Sequence, residues 1–114
     1  MPYSNVHRRA RISPSKARLV ADMIRGLDAR EAIAALGQAK NRAAVLFRKA
    51  LDAAVANAVE VGELSTQQRN QLVVTDARVD EGPTRTKFQP KDRGRAHPIK
   101  KRTSHLIVEV DVFE

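Results

Sequence analysis

Two alternating segments, 72–80 and 104–112, flank a stretch that has little to bury, and this arrangement narrows what the chain can fold into. In the first, Val73, Thr75, Ala77 and Val79 fall on one face; in the second, Leu106, Val108, Val110 and Val112 stand opposite His105, Ile107, Glu109 and Asp111. Alternation with period two is the pattern of a half-buried strand. Between them, Thr84 to Arg102 (TRTKFQPKDRGRAHPIKKR) carries Arg85, Lys87, Lys91, Arg93, Arg95, Lys100, Lys101 and Arg102 against a single acid, Asp92, a formal +7 in nineteen residues. Its bulky apolar side chains are Phe88 and Ile99, and Pro90, Gly94 and Pro98 punctuate it. A connection of this length inside a compact domain is either functional or disordered. Tethered at both ends by strands, it reads as an antiparallel pair with an extended basic β-hairpin, each arm of about ten residues able to reach about 30 Å.

The charge map sharpens this reading. A second cluster, His7 to Arg18, holds Arg8, Arg9, Arg11, Lys16 and Arg18 with no acid, a formal +5. Subtracting +7 and +5 from the net charge of +8 leaves −4 for the remainder. A positive field confined to two places on a mildly acidic background is the footprint of a polyanion-binding surface. A merely solvated surface would not need self-repelling clusters.

The other elements follow from period and punctuation. Tyr3 to Ile12 alternates weakly, with Val6, Ala10 and Ile12 on one face and Asn5, His7, Arg9 and Arg11 on the other. Ser13 is placed to cap a helix that Pro14 opens, Val20, Met23, Ile24 and Leu27 form its inner face, and Gly26 ends it. Asp28 and Glu31, three apart, open a short helix with Ala32, Ile33 and Leu36 inward and Gly37 at its close. Asn41 caps a longer one whose stripe of Ala44, Phe47, Leu51, Ala54, Val55 and Ala58 runs to Gly62. Its alanines favour helix and permit close approach of another element. Glu63 to Asn70 reads as a polar linker. The expected architecture is α+β: three helices packed on a small three-stranded antiparallel sheet with a long protruding basic β-hairpin. One domain of 114 residues is expected, with a body over 1–80 and 104–114 and an arm over 81–103.

Several function classes drop out. With no cysteine, disulfide frameworks and thiolate chemistry are excluded. No apolar run approaches the roughly 18 residues needed to span a bilayer, and no signal-peptide pattern follows the N-terminus, so a soluble, untargeted cytoplasmic chain is expected, with no membrane partner. His7, His97 and His105 are too scattered for a metal-ligand spacing, and Asp80 and Glu81 read as a strand end, not an acid/base dyad. Neither a phosphate-binding glycine loop nor a nucleophile elbow is present. No catalytic residue, metal, cofactor or small-molecule substrate is therefore expected.

Nucleic acid remains. Tyr3, Phe47, Phe88 and Phe113 are the only aromatics, too few for a sheet that stacks bases, so binding through backbone contacts and shape is favoured. His97 and His105 could donate to phosphate. One alternative is a DNA-binding architectural protein that uses a basic β-arm with a proline near its tip, here Pro90.

The motifs RISPSKARLV (Arg11 to Val20), Ile24-Arg25-Gly26, VDEGP (Val79 to Pro83), Gly94-Arg95-Ala96 and KRTSH (Lys101 to His105) together resemble the L-twenty-two family of large-subunit ribosomal proteins, in the right order over nearly the full chain. The resemblance implies a body on the outside of the large subunit, contact with large-subunit (23S) rRNA and neighbouring ribosomal proteins, help in assembly, and a hairpin tip in the wall of the nascent-peptide exit tunnel. On this sequence the tip would be Gln89, Pro90, Lys91, Asp92, Arg93 and Gly94, facing the nascent polypeptide. Arg11, Ser13, Lys16 and Arg18 would meet RNA at the first helix, and Lys100, Lys101, Arg102, Thr103, Ser104 and His105 on the returning arm. Asp92 and Thr86 depart from the residues usual in the family.

Overall fold

The computed structural model describes residues 3–91 and 95–112, with side chains from 86 to 100 left aside. The architecture is α+β. β1 (Tyr3–Ala10) leads into α1 (Pro14–Ile24), α2 (Ala29–Gln38), α3 (Arg42–Val61) and the single turn α4 (Thr66–Arg69), followed by β2 (Leu72–Lys91) and β3 (Arg95–Val112). The strands form one antiparallel sheet in the order β1-β3-β2. The pairing of β2 with β3 runs from Leu72 opposite Val112 to Lys91 opposite Arg95. A compact chain of this size has a radius of gyration of about 13 Å. This one has 17.2 Å and measures 65 × 25 × 16 Å.

The core lies between one face of the sheet and the helices. Phe47 and Leu51 of α3, Ile24 of α1 and Leu36 of α2 meet Leu72 and Val74 of β2 and Leu106, Val108 and Val110 of β3, all essentially without solvent contact. Small residues let the layers close: Ala17, Ala21, Ala32, Ala44, Ala54 and Ala58 have no exposed surface. The predicted stripe of α3 is therefore the spine, with Val55 at its half-buried margin. In α1 the inner face is Pro14, Ala17, Val20, Ala21 and Ile24. Met23 sits to one side of it, 42 % exposed instead of buried.

Backbone punctuation sets how the elements meet. Gly26 adopts φ +85°, a conformation glycine alone takes without cost. Its N–H donates to the Val74 carbonyl at 3.0 Å while the Val74 N–H donates to Leu27 at 2.9 Å, so the α1–α2 connection covers part of the β2 edge. Asp28 caps α2 by accepting from the Arg30 N–H at 2.9 Å, and not through the reciprocal pairing with Glu31 that the spacing suggested. The helix continues past Gly37 to Gln38. Ser13 and Asn41 occupy the cap positions of α1 and α3, but neither side chain makes a capping bond. The expected linker instead contains α4, closed by a capping box in which the Ser65 hydroxyl accepts from Gln68 N–H (3.2 Å) and Gln68 Oε1 accepts from Ser65 N–H (3.0 Å).

Three register shifts break the simple alternation. They fall between His7 and Ala10, between Val74 and Asp76, and between Glu81 and Thr84. An extra residue in one strand of a pair turns all later side chains over. Before the first shift, Tyr3, Asn5 and His7 point toward the helices and Val6 points away, 42 % exposed, the reverse of the expected face. After it, Ala10 is buried as expected. In β2, Leu72 and Val74 are buried in place of Val73 and Thr75, and the shift at Thr75 restores Ala77 and Val79 to the core.

Candidate nucleic-acid interface

The first basic cluster spans the end of β1 and the start of α1. Arg8, Arg9, Arg11, Lys16 and Arg18 are all exposed. Arg18 also reaches across to donate to the Val79 carbonyl at 3.3 Å, and Arg25 donates to the Ala77 carbonyl while pairing with Asp22 at 2.8 Å. These two arginines tie α1 to β2. Ser13, expected at the RNA, is half-buried, and its hydroxyl is buried without a hydrogen-bond partner.

The second cluster enters on β2 and β3. Arg85 stands opposite Lys101, Thr84 opposite Arg102 and Lys91 opposite Arg95. Arg85, Lys101 and Arg102 are exposed. Like charges directly opposite one another are destabilising by up to about 1 kcal/mol a pair. Along these strands basic residues thus stand opposite basic residues. For Lys87, His97 and Lys100 the register alone is described: Lys87 is paired with Ile99, Gln89 with His97 and Thr86 with Lys100. Of the expected tip, Gln89, Pro90 and Lys91 have described backbone only, at the end of β2, and Asp92, Arg93 and Gly94 lie outside the described residues.

Three consecutive side chains join the clusters, each bonding the backbone of a different segment. Thr103 donates its hydroxyl to the Pro83 carbonyl at 2.7 Å. Ser104 donates to the Ile12 carbonyl, also at 2.7 Å. His105 Nδ1 accepts from the backbone N–H of Arg9 at 3.1 Å. Ser104, which the family resemblance placed among the RNA contacts, has no exposed surface and spends its hydroxyl internally; its side chain fastens the β1–α1 connection to β3. Thr103 and His105 keep partial exposure.

The face of the sheet turned away from the core bears a shallow, open depression. Its floor is Val6 and Ile107 and its rim includes Ser4, Arg8, Arg9, Arg78, Asp80, Pro83, His105 and Glu109. Arg78 stands 3.9 Å from Asp76 across this face. Sequence reasoning left Arg78 out of the region, and it put Gly82 and Pro83 in the arm without giving either a role. The shift between Glu81 and Thr84 brings Gly82 against Thr103, where a Cβ on Gly82 would lie 2.5 Å from the Thr103 hydroxyl. The VDEGP motif carried that signal, since a glycine inside a strand marks a bulge or a close backbone approach. Asn57 donates to the Ser4 carbonyl at 3.2 Å and so docks α3 on β1.

Among the described residues no group of three or more His, Asp or Glu side chains is placed to hold a metal, and no helix is long and apolar enough to cross a membrane. Residues 5–111 match the family model described as ribosomal protein L22p/L17e. The chain belongs to that family of large-subunit structural proteins, which is not a family of enzymes. It is accordingly a component of the large ribosomal subunit in the cytoplasm that binds rRNA and lies beside other ribosomal proteins. The DNA-architectural alternative falls with this membership.

Proposed function

We propose that this member of the L22p/L17e family supports assembly of the large subunit and extends the far end of the β2–β3 arm into the nascent-peptide exit tunnel. The observation that carries the reading is the cross-strand register that sets Arg85 opposite Lys101 and Lys91 opposite Arg95, which lines basic residues up along β2 and β3 where a polyanion would offset their repulsion. The body, 1–80 and 104–114, presents Arg8, Arg9, Arg11, Lys16 and Arg18 to rRNA. The arm, 81–103, runs between RNA segments by contacts from Arg85, Lys87, Lys100, Lys101 and Arg102, with Arg93, Arg95 and His97 nearer its end. Gln89 to Gly94 would then face the tunnel and the growing polypeptide. Backbone contacts of this kind position a protein without reading sequence.

The test is deletion of Phe88 to Arg95. The described core lies entirely outside this stretch, so the shortened chain should keep its helical circular dichroism and still co-sediment with large subunits after a high-salt wash. Crosslinks from a photoreactive group at Gln89 to nascent chains should be seen in the full-length protein. An unfolded deletion variant would make the arm part of the core scaffold, and crosslinks to rRNA without any to nascent chains would place the far end of the arm away from the tunnel.

A further inference from the structure

The register shift near the end of β1 is the most unusual backbone feature of the sheet. His7 pairs with Leu106 and Ala10 with Ser104, so two residues, Arg8 and Arg9, stand opposite one, His105. Arg9 takes φ +56°, a left-handed conformation that costs a non-glycine residue about 1 kcal/mol or more. The bond from the Arg9 N–H to His105 Nδ1 is what holds it there. An accepting Nδ1 requires the tautomer with its proton on Nε2.

The bulge changes where charge can go. In a regular strand neighbouring side chains point to opposite faces. Were β1 regular, an outward Arg8 would send Arg9 into the core. Here both are exposed and both border the same depression as His105. Two guanidinium groups on residues about 3.8 Å apart along the chain can together fork onto the oxygens of one phosphodiester group or of two successive ones. The carboxylates of Asp80 and Glu109 share the rim, Asp80 directly opposite His105, while Arg78 stands 3.9 Å from Asp76.

We propose that His105 is a positioning residue for RNA: by accepting the Arg9 N–H it locks the bulge that turns Arg8 and Arg9 onto one face as a paired phosphate clamp. This rests on the RNA-binding reading and assigns the helix-free face of the sheet, beside the arm, to an RNA backbone. Its function is distinct from contact by the imidazole itself.

Substitutions that copy one ring nitrogen at a time separate the two roles. His105→Asn places an amide oxygen near the position of Nδ1, whereas His105→Gln reaches the position of Nε2. With transcribed large-subunit rRNA, His105→Asn should bind within about twofold of the unaltered chain. His105→Ala and His105→Gln should bind about tenfold more weakly, with the slope of log affinity against log salt smaller by about one. The opposite ranking, Gln retained and Asn lost, makes His105 a direct contact and overturns the proposal, as do three variants that all bind like the parent. Since a variant could fail to fold, the unaltered protein supplies a second measurement by nitrogen-15 NMR. A scalar coupling between the Arg9 amide and His105 Nδ1, with the ring proton on Nε2, is expected; a proton on Nδ1 overturns the lock. A parent chain that fails to bind rRNA refutes the RNA reading itself, and the NMR result then decides the lock alone.

Discussion

A methyl group added at Gly82 should do more harm with Thr103 present than without it. The new Cβ would stand 2.5 Å from the Thr103 hydroxyl and 3.3 Å from the Thr103 backbone carbon and oxygen. The hydroxyl must swing away, giving up its 2.7 Å bond to the Pro83 carbonyl. Loss of that bond costs about 1 kcal/mol and the residual crowding about another. Stiffening the unfolded chain returns about 0.5 kcal/mol, so Gly82→Ala should destabilise by about 1.5 kcal/mol. Thr103→Ala alone loses only the bond, about 1 kcal/mol. With both changes the hydroxyl is gone before the methyl arrives, but the crowding against the Thr103 backbone and the stiffening remain, so the double variant should also lie near 1.5 kcal/mol, about 1 kcal/mol short of the sum. Urea denaturation followed by circular dichroism measures all four chains, and each kcal/mol should move the thermal midpoint by about 5 °C. Additive effects within about 0.5 kcal/mol would show that Gly82 and Thr103 do not compete for the same space, and the account of this bulge would be wrong.

Ser104→Ala removes the hydroxyl and strands the Ile12 carbonyl, so it should cost about 1–3 kcal/mol by urea titration. Phe47→Ala should cost about 3–5 kcal/mol, enough to unfold much of the population in a thermal melt. Arg85→Ala and Lys101→Ala should each lower the salt slope of rRNA binding by about one in filter-binding assays while leaving the free protein equally stable or slightly more so, by up to about 1 kcal/mol.

The helices were legible because an amphipathic stripe survives small errors of phase. Phe47, Leu51, Ala54 and Ala58 are buried as their spacing predicts, and a residue at the stripe's margin, Met23, is the one that emerges into solvent. Strand faces were less legible because period two has no tolerance: one inserted residue exchanges the faces. Val6, Val73 and Thr75 were each assigned to the core side; Val6 and Val73 lie on the far side of a register shift from the residues that fixed the phase, and Thr75 is the inserted residue itself. The shift at Gly82 had a glycine to announce it; those at Arg9 and Thr75 had none. Capping was legible in part. Ser65 and Gln68 form the reciprocal pair that three-residue spacing suggests, although the segment read as linker, while Ser13 and Asn41 occupy cap positions without using their side chains. The basic clusters were plain in composition, yet composition could not show that Thr103, Ser104 and His105 work inward.

That inward work bears on how so uneven a charge distribution is tolerated. Each of the three residues ties a basic segment to β3: Thr103 holds β2 at Pro83, Ser104 the connection carrying Arg11, and His105 the bulge at Arg9. Repulsion among clustered cations favours fraying where those segments leave the sheet, and a backbone bond at each departure point opposes it. The fastenings involve backbone carbonyls and an N–H, groups that salt or RNA does not neutralise. These bonds accordingly fix the segments in the free chain, before any phosphate arrives. Their cations are thus prearranged, and binding need not spend free energy on ordering the first residues of the arm or the end of β1.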